Sequence, residues 1–220
     1  MCFSATASFV AGSALCVLGV ATLRATRRKA EVAFAAIPLL FGVQQIVEGM
    51  LWLSFRFDAP QLRESTTYVF SFFSHVLWPV YMPFAVGLLE TVPWRRKVIW
   101  GSQAIGLGVG LYLLYNLVEL PVNAVAAANI VYVSPHFYQV PVMLLYLVAT
   151  CVGSFFSSVA AVRLFGAFAL LLFLLAYGFF TVALISVWCF FAAVLSFIIY
   201  MHFTLHSKSC SPSRQYVGRP

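Results

Sequence analysis

Residues 41–52 read FGVQQIVEGMLW and place an ionisable Glu48 inside a run that otherwise belongs in lipid. A carboxylate at the bilayer centre costs roughly 2.5–3.5 kcal/mol on insertion scales, so something has to receive it. Phe41, Gln44, Gln45, Glu48 and Trp52 follow the i, i+3, i+4, i+7 spacing that gathers side chains on one helical face. The acid therefore shares its stripe with two amides and an indole, and that stripe is expected to face protein.

The rest of the chain supports a membrane setting. Of its 220 residues 63% are hydrophobic and only 9% charged, with a mean hydropathy of +0.97, against about 25% charged in a soluble domain. The length suits one helical bundle. The net charge of +7 does not point to nucleic acid, because nearly all the basic residues flank apolar runs, where topology explains them. Cys2, Cys16, Cys151, Cys189 and Cys210 show no CxxC or metal-knuckle spacing.

Working along the chain, Met1–Ser8 lacks a basic n-region and no small residue ends the segment before Cys16, so no cleaved signal peptide is expected. Spans are expected at about 5–23, 31–53, 67–89, 98–118 and 139–162, the last ending at Arg163. The apolar stretch 164–205 is about twice a spanning length and is expected to hold two more, with a tight turn near 185–187. The fold class is thus all-α, a polytopic transmembrane bundle of seven helices over residues 1–206, with a disordered cytoplasmic tail at 207–220.

Arg24, Arg27, Arg28, Lys29, Arg95, Arg96, Lys97, Arg163, Lys208, Arg214 and Arg219 fall on one side, against Arg56 and Arg63 on the other. The positive-inside rule then puts the N-terminus outside and the C-terminus in the cytoplasm. Glu119–Tyr138 is expected to be the longest outer connection, with Ala and Val content that also suits a partly re-entrant segment. Ser102, Gly106 and Gly110 form a small-xxx-small stripe that permits close helix approach. Pro79 and Pro83 are expected to kink the third helix beside His75.

Topology turns polar residues into depths, because a helix rises about 1.5 Å per residue. Glu48 and His75 both fall roughly 8–12 Å below the outer surface and can meet. With Gln44, Gln45, Trp52, Trp78, Ser71 and Asn116 they make the expected ligand-binding set. The expected metal ligands are Glu48, His75, Cys2, His202 and His206, with Cys189 a further donor. If Met1 is removed, Cys2 presents an α-amine and a thiol that suit a soft metal or a nucleophilic role.

Two resemblances follow from these motifs. The SxxxH pair Ser71 and His75, with His202 and His206, resembles the serine and three-histidine zinc pattern of the alkaline ceramidase and progestin-receptor-like membrane hydrolases. That family also needs an aspartate near the metal, and the expected spans contain none. It also brings its histidines together, whereas His202 and His206 fall on the order of 10–20 Å deeper than His75. Separately, MCFSATASF, QQIVEGMLW, VLWPVYMPFAV and ISVWCFFAAVLSFIIYMHF together resemble an uncharacterised bacterial family of seven-helix membrane proteins beginning Met-Cys-Phe-Ser, a domain of unknown function. That resemblance implies the bacterial inner membrane and no particular chemistry.

Three functions are open. The leading expectation is an integral membrane protein whose polar outer-half cavity binds a small ligand, a lipid, a proton or a metal ion, in sensing or transport. The others are a zinc-dependent intramembrane hydrolase of lipid amides or esters, with zinc or another divalent metal as cofactor, and a structural or assembly subunit of a membrane complex. Whether the chain is an enzyme, and whether it forms an oligomer, the residues leave undecided. A retinal protein is excluded by the lack of a mid-span lysine, since Lys29, Lys97 and Lys208 all sit at span ends.

Overall fold

Apolar runs in lipid must satisfy their backbone internally, and this chain does so almost wholly with helices. The computed structural model describes residues 4–127, 129–133, 139–179 and 184–209, apart from the side chains at 185, 192 and 206–209. Its helices are α1 (Ala5–Ala25), α2 (Lys29–Arg56), α3 (Pro60–Leu89), α4 (Pro93–Glu119), α5 (Val140–Phe155), α6 (Ala160–Phe179) and α7 (Leu184–Ser209). Among the described residues six are long and apolar enough to cross a membrane, and α5 is shorter.

Local chemistry sets the starts of several helices. Ser4 accepts the Ala7 N–H at 3.3 Å and caps α1. Glu31 opens α2 by accepting the Arg27 and Arg28 N–H groups and pairing with Arg28 Nε at 2.7 Å. Pro60, Pro93 and Pro141 each occupy a first-turn position, where no intrahelical N–H is lost.

The helix boundaries correct several expectations. The connection between α2 and α3 is only three residues, turned by Asp58 at φ 45° and held by Arg63 at 3.0 Å. The fifth helix stops at Phe155, well before Arg163, which sits instead in the first turn of α6 and donates to the Ser157 and Ser158 carbonyls. Glu90 takes the Ser158 N–H at 2.6 Å and the Val92 N–H at 2.8 Å, tying this break to the α3–α4 connection. Residues 185–187 lie inside α7, not in a turn. Leu184, Ser186 and Val187 are buried there, and buried backbone needs the helix to satisfy it.

The α1–α2 pair packs through glycine. A Cβ on Gly19 would lie 2.5 Å from the Leu39 backbone nitrogen, and one on Gly42 would lie 2.7 Å from Cys16 Sγ. A side chain at either glycine would collide with the facing helix, so bare glycine lets the two helices approach closely. The expected stripe on α4 packs the same way: a Cβ on Gly106 would overlap the Pro79 carbonyl oxygen. Pro83 has no N–H to offer that carbonyl, so its oxygen projects toward the bare Gly106.

α3 and α5 each contain a π-helical turn, at Phe72–Leu77 and Val148–Val152. In the first, the Trp78 N–H reaches back to the Phe73 carbonyl. Pro79 cannot donate to the His75 carbonyl and its ring presses on it, which a widened turn relieves. The expected disturbance beside His75 therefore takes the form of a π turn.

The long connection after α4 is a β-hairpin, with β1 (Asn123–Ala126) antiparallel to β2 (Ile130–Val133) and Asn123 opposite Val133. Ile130 and Tyr132 point inward and are buried, and the Tyr132 ring stacks on Phe70 of α3 at 4.4 Å. The hairpin thus folds back over the end of the bundle where α2 stops and α3 and α7 begin, its strands satisfying one another's backbone groups.

Candidate functional site: a buried polar cluster around Glu48

The stripe read from residues 41–52 does face protein. Phe41, Gln44, Gln45 and Glu48 are all buried, the three polar residues at 0% exposure, and Trp52 is half-buried at the same face. Val43 and Met50 on the other faces of α2 are exposed. The helical period has separated a polar interior from a lipid-facing exterior.

Glu48 Oε1 accepts the Ser186 hydroxyl of α7 at 2.5 Å, a contact between segments 138 residues apart. Gln44 Oε1 accepts the Trp78 indole N–H of α3 at 2.8 Å. The Trp78 ring stacks on Phe41 at 3.9 Å between centroids, so α2 and α3 are joined by one hydrogen bond and one stack. Gln44 is also within hydrogen-bonding reach of Cys189, and Glu48 within electrostatic range of it. Trp188, beside Cys189, donates its indole N–H to the Ala169 carbonyl of α6 at 3.0 Å.

The π turn of α3 supplies the histidine. Ser74 Oγ donates to the Ser71 carbonyl at 3.2 Å and lies 2.7 Å from His75 Nδ1. Ser74 thus links the Ser71 carbonyl to the His75 ring, and the imidazole tautomer decides which of Ser74 and His75 donates in the shorter contact. The Ser74 carbonyl in turn accepts the Tyr146 hydroxyl of α5. Tyr146 lies within electrostatic range of both Cys151 and Cys189. His75, Tyr146, Cys189 and Glu48 therefore belong to one connected interior drawn from α2, α3, α5 and α7.

Next to this cluster lies a cavity of about 30 Å³ lined by Phe41, Trp78, Met82, Tyr146, Cys151 and Cys189, among others. That is room for about one or two water-sized groups. Of the expected ligand-binding set only Trp78 lines it, and Glu48 and His75, expected at its centre, do not. Among the described residues the Gln45 amide and the Ser71 hydroxyl are buried with no hydrogen-bond partner, and so is the Trp52 indole nitrogen. Buried polar groups of this kind are rare unless something else satisfies them.

Other expected residues lie elsewhere. Asn116 donates to the Tyr112 carbonyl of its own helix at 2.7 Å and takes no part in the cluster. His202 is sixteen residues along α7 from Ser186, about 24 Å of helix, and its ring packs edge-on against Phe203. Cys2 and the His206 side chain lie outside the described residues. Among the described residues no three His, Cys, Asp or Glu side chains come together as a metal site.

Ser186, Ser74 and Tyr146 were not expected at the site. A lone serine or tyrosine in an apolar helix carries no periodic signal, and only the partner helix reveals its role. Glu90 is a second buried acid, outside the spans. Burial pushes the Glu90 carboxyl up, but the Val92 and Ser158 N–H groups and the Arg95 charge outweigh it and hold the group below the usual carboxylate range.

No curated protein and no solved structure matches the chain. A sequence profile does match, over residues 1–214, and by that match the chain belongs to DUF6629, a family of unknown function.

Proposed function

We propose that this is an integral membrane protein whose cluster around Glu48 binds a proton, a small polar ligand or a metal ion, in a sensing or transport role. The observation that carries the reading is Glu48 itself: fully buried, on an apolar helix, and held by Ser186 from the far end of the sequence. Intramembrane acids are costly to insert and mark functional positions. Gln45 and Ser71 add donors and acceptors without protein partners among the described residues, and the His75 imidazole is buried in the same interior. The family resemblance supports a bacterial inner-membrane location, and the positive-inside rule puts the basic end in the cytoplasm and the hairpin outside.

Glu48→Gln is the test, because it keeps the shape and an acceptor for Ser186 while removing the titrating group. Protein purified under mild conditions is compared with this variant by native mass spectrometry, elemental analysis and the pH dependence of its melting midpoint. Wild type is expected to carry a bound species, or a pH-dependent shift of midpoint, that Glu48→Gln and His75→Ala lose while remaining monodisperse. Identical profiles for all three proteins would end the reading. The zinc-hydrolase alternative gains no support from His202, which lies far along α7 from Ser186, and retention of zinc by wild type but not by His75→Ala would restore it.

A further inference from the structure

At the end of the bundle opposite the hairpin, a groove of about 380 Å³ opens between the last turn of α3 and the first turns of α4. Gly87 and Leu88 line it from α3, and Pro93, Arg96, Lys97 and Trp100 from α4. Three independent features of this groove agree on one kind of occupant.

The first is charge. Arg96 and Lys97 are exposed, and the ion pairs among the described residues, Arg28–Glu31 and Arg63–Asp58, use neither. The acid closest in sequence, Glu90, is turned to the Val92 and Ser158 N–H groups, with Arg95 as its charged neighbour. Two cations therefore stand at the groove mouth without an acid spent on them, beside the positive end of a 27-residue helix.

The second is the wall. Leu88 and Trp100 are each 39% exposed, an apolar surface continuous with the lipid-facing side of the bundle. Tryptophan favours the headgroup boundary, where its indole spans apolar and polar surroundings. The third is the floor. Gly87 carries no side chain, and a Cβ there would lie 3.4 Å from the Trp100 ring, an ordinary contact. The depth of the groove is thus set by a missing side chain, and a longer residue would fill it.

We propose that this groove binds one anionic phospholipid. Its phosphate sits between Arg96 and Lys97, and the start of an acyl chain runs over Gly87 between Leu88 and Trp100. A free phosphate would satisfy the cations and leave the apolar wall uncovered, and a zwitterionic lipid would bring its own cation to a site already holding two. The site lies at the opposite end of the bundle from Glu48 and does not depend on the role given to that cluster.

The test is native mass spectrometry of the full chain in detergent, titrated with phosphatidylglycerol or phosphatidylcholine. One phosphatidylglycerol is expected to bind in preference to phosphatidylcholine, and excess inorganic phosphate is expected not to displace it. Each of Arg96→Ala and Lys97→Ala should weaken binding roughly fivefold. Gly87→Leu should abolish it with both charges in place, and Arg24→Ala, an exposed cation elsewhere on the same end, should leave it unchanged. Equal binding of the two lipids, displacement by inorganic phosphate, or unchanged binding in the Arg96→Ala/Lys97→Ala double variant would overturn the proposal. The two exposed substitutions decide it even if Gly87→Leu fails to fold.

Discussion

The two sides of α2 are built on opposite principles. Toward α1 it offers Gly42, where a Cβ would collide with Cys16, and Gly49, where a Cβ would crowd the Phe9 ring at 3.1 Å. Toward α3, α5 and α7 it offers Gln44, Gln45 and Glu48, each a buried polar group that needs a partner. The first side holds by close approach at its glycines, with the Cys16 thiol packed against Gly42. The second holds by a few directed bonds beside a small cavity and carries the buried acid. One helix thus joins a fixed seam to an interior with chemistry, and the contrast between them can be broken from either side.

The largest effect is expected at the seam. Gly19→Leu would drive a side chain into the Leu39 backbone, 2.5–2.7 Å from the position of its Cβ. Backbone cannot rotate aside as a side chain can, so the cost should reach or exceed about 3 kcal/mol, the upper end for overpacking. Little monodisperse protein should be recovered by size-exclusion chromatography. Normal yield and an unchanged melting midpoint would show that α1 is not held against α2 as described.

The polar side should respond less and in a pattern. Glu48→Leu leaves the Ser186 hydroxyl without its acceptor, which costs about 1–3 kcal/mol. Glu48→Leu combined with Ser186→Ala removes both partners and should recover most of that loss, since apolar replacement of a buried polar pair is often close to neutral. Melting midpoints of the two single variants and the double variant give the coupling directly. Additive losses would mean that the two side chains do not depend on each other.

Glu90 provides the pH counterpart at an acid outside the spans. Because its folded value is lowered from 4.5, its contribution to stability is fully present above that value and is lost as pH falls through the lower, folded value. Wild type should therefore lose midpoint on acidification more steeply than Glu90→Gln, which has already lost the contribution. Parallel curves for the two proteins would remove Glu90 as the clasp between the α3–α4 connection and residues 157–159.

How much of this was legible follows from the same contrast. The Glu48 stripe could be read because an acid in an apolar run is rare and its neighbours keep helical period. The α4 stripe could be read because its small residues recur every four positions. The α1–α2 seam was passed over, although Gly12 and Gly19, and Gly42 and Gly49, each recur after seven residues. Two helices must be paired before that spacing means anything. The hairpin was missed because β1 is Asn-Ala-Val-Ala, poor in strand formers, and its turn has no glycine to announce it. Ser186 was hidden because a single hydroxyl among apolar residues reads as packing until an acid on another helix is placed against it. Proline at 79 announced a disturbance beside His75, but whether a helix kinks or widens depends on what packs there, here Gly106.

The smallest predicted effect tests whether glycine matters by position or merely by presence. Gly101 and Gly108 share α4 with Gly106, yet an added Cβ at either meets nothing within 4 Å. Alanine at these two sites adds no clash and reduces the freedom of the unfolded backbone, so Gly101→Ala and Gly108→Ala should each raise stability by up to about 1 kcal/mol. Gly106→Ala, five residues beyond the first and two before the second, should instead displace α4 from the Pro79 carbonyl and lower the midpoint. If all three substitutions moved the midpoint in the same direction, the close approach at Gly106 would not be what positions α4 against the π turn that carries His75. If the signs divide as expected, the polar interior is held in register by bare backbone contacts on the neighbouring helix, and the glycine seams and the Glu48 cluster are two parts of one support.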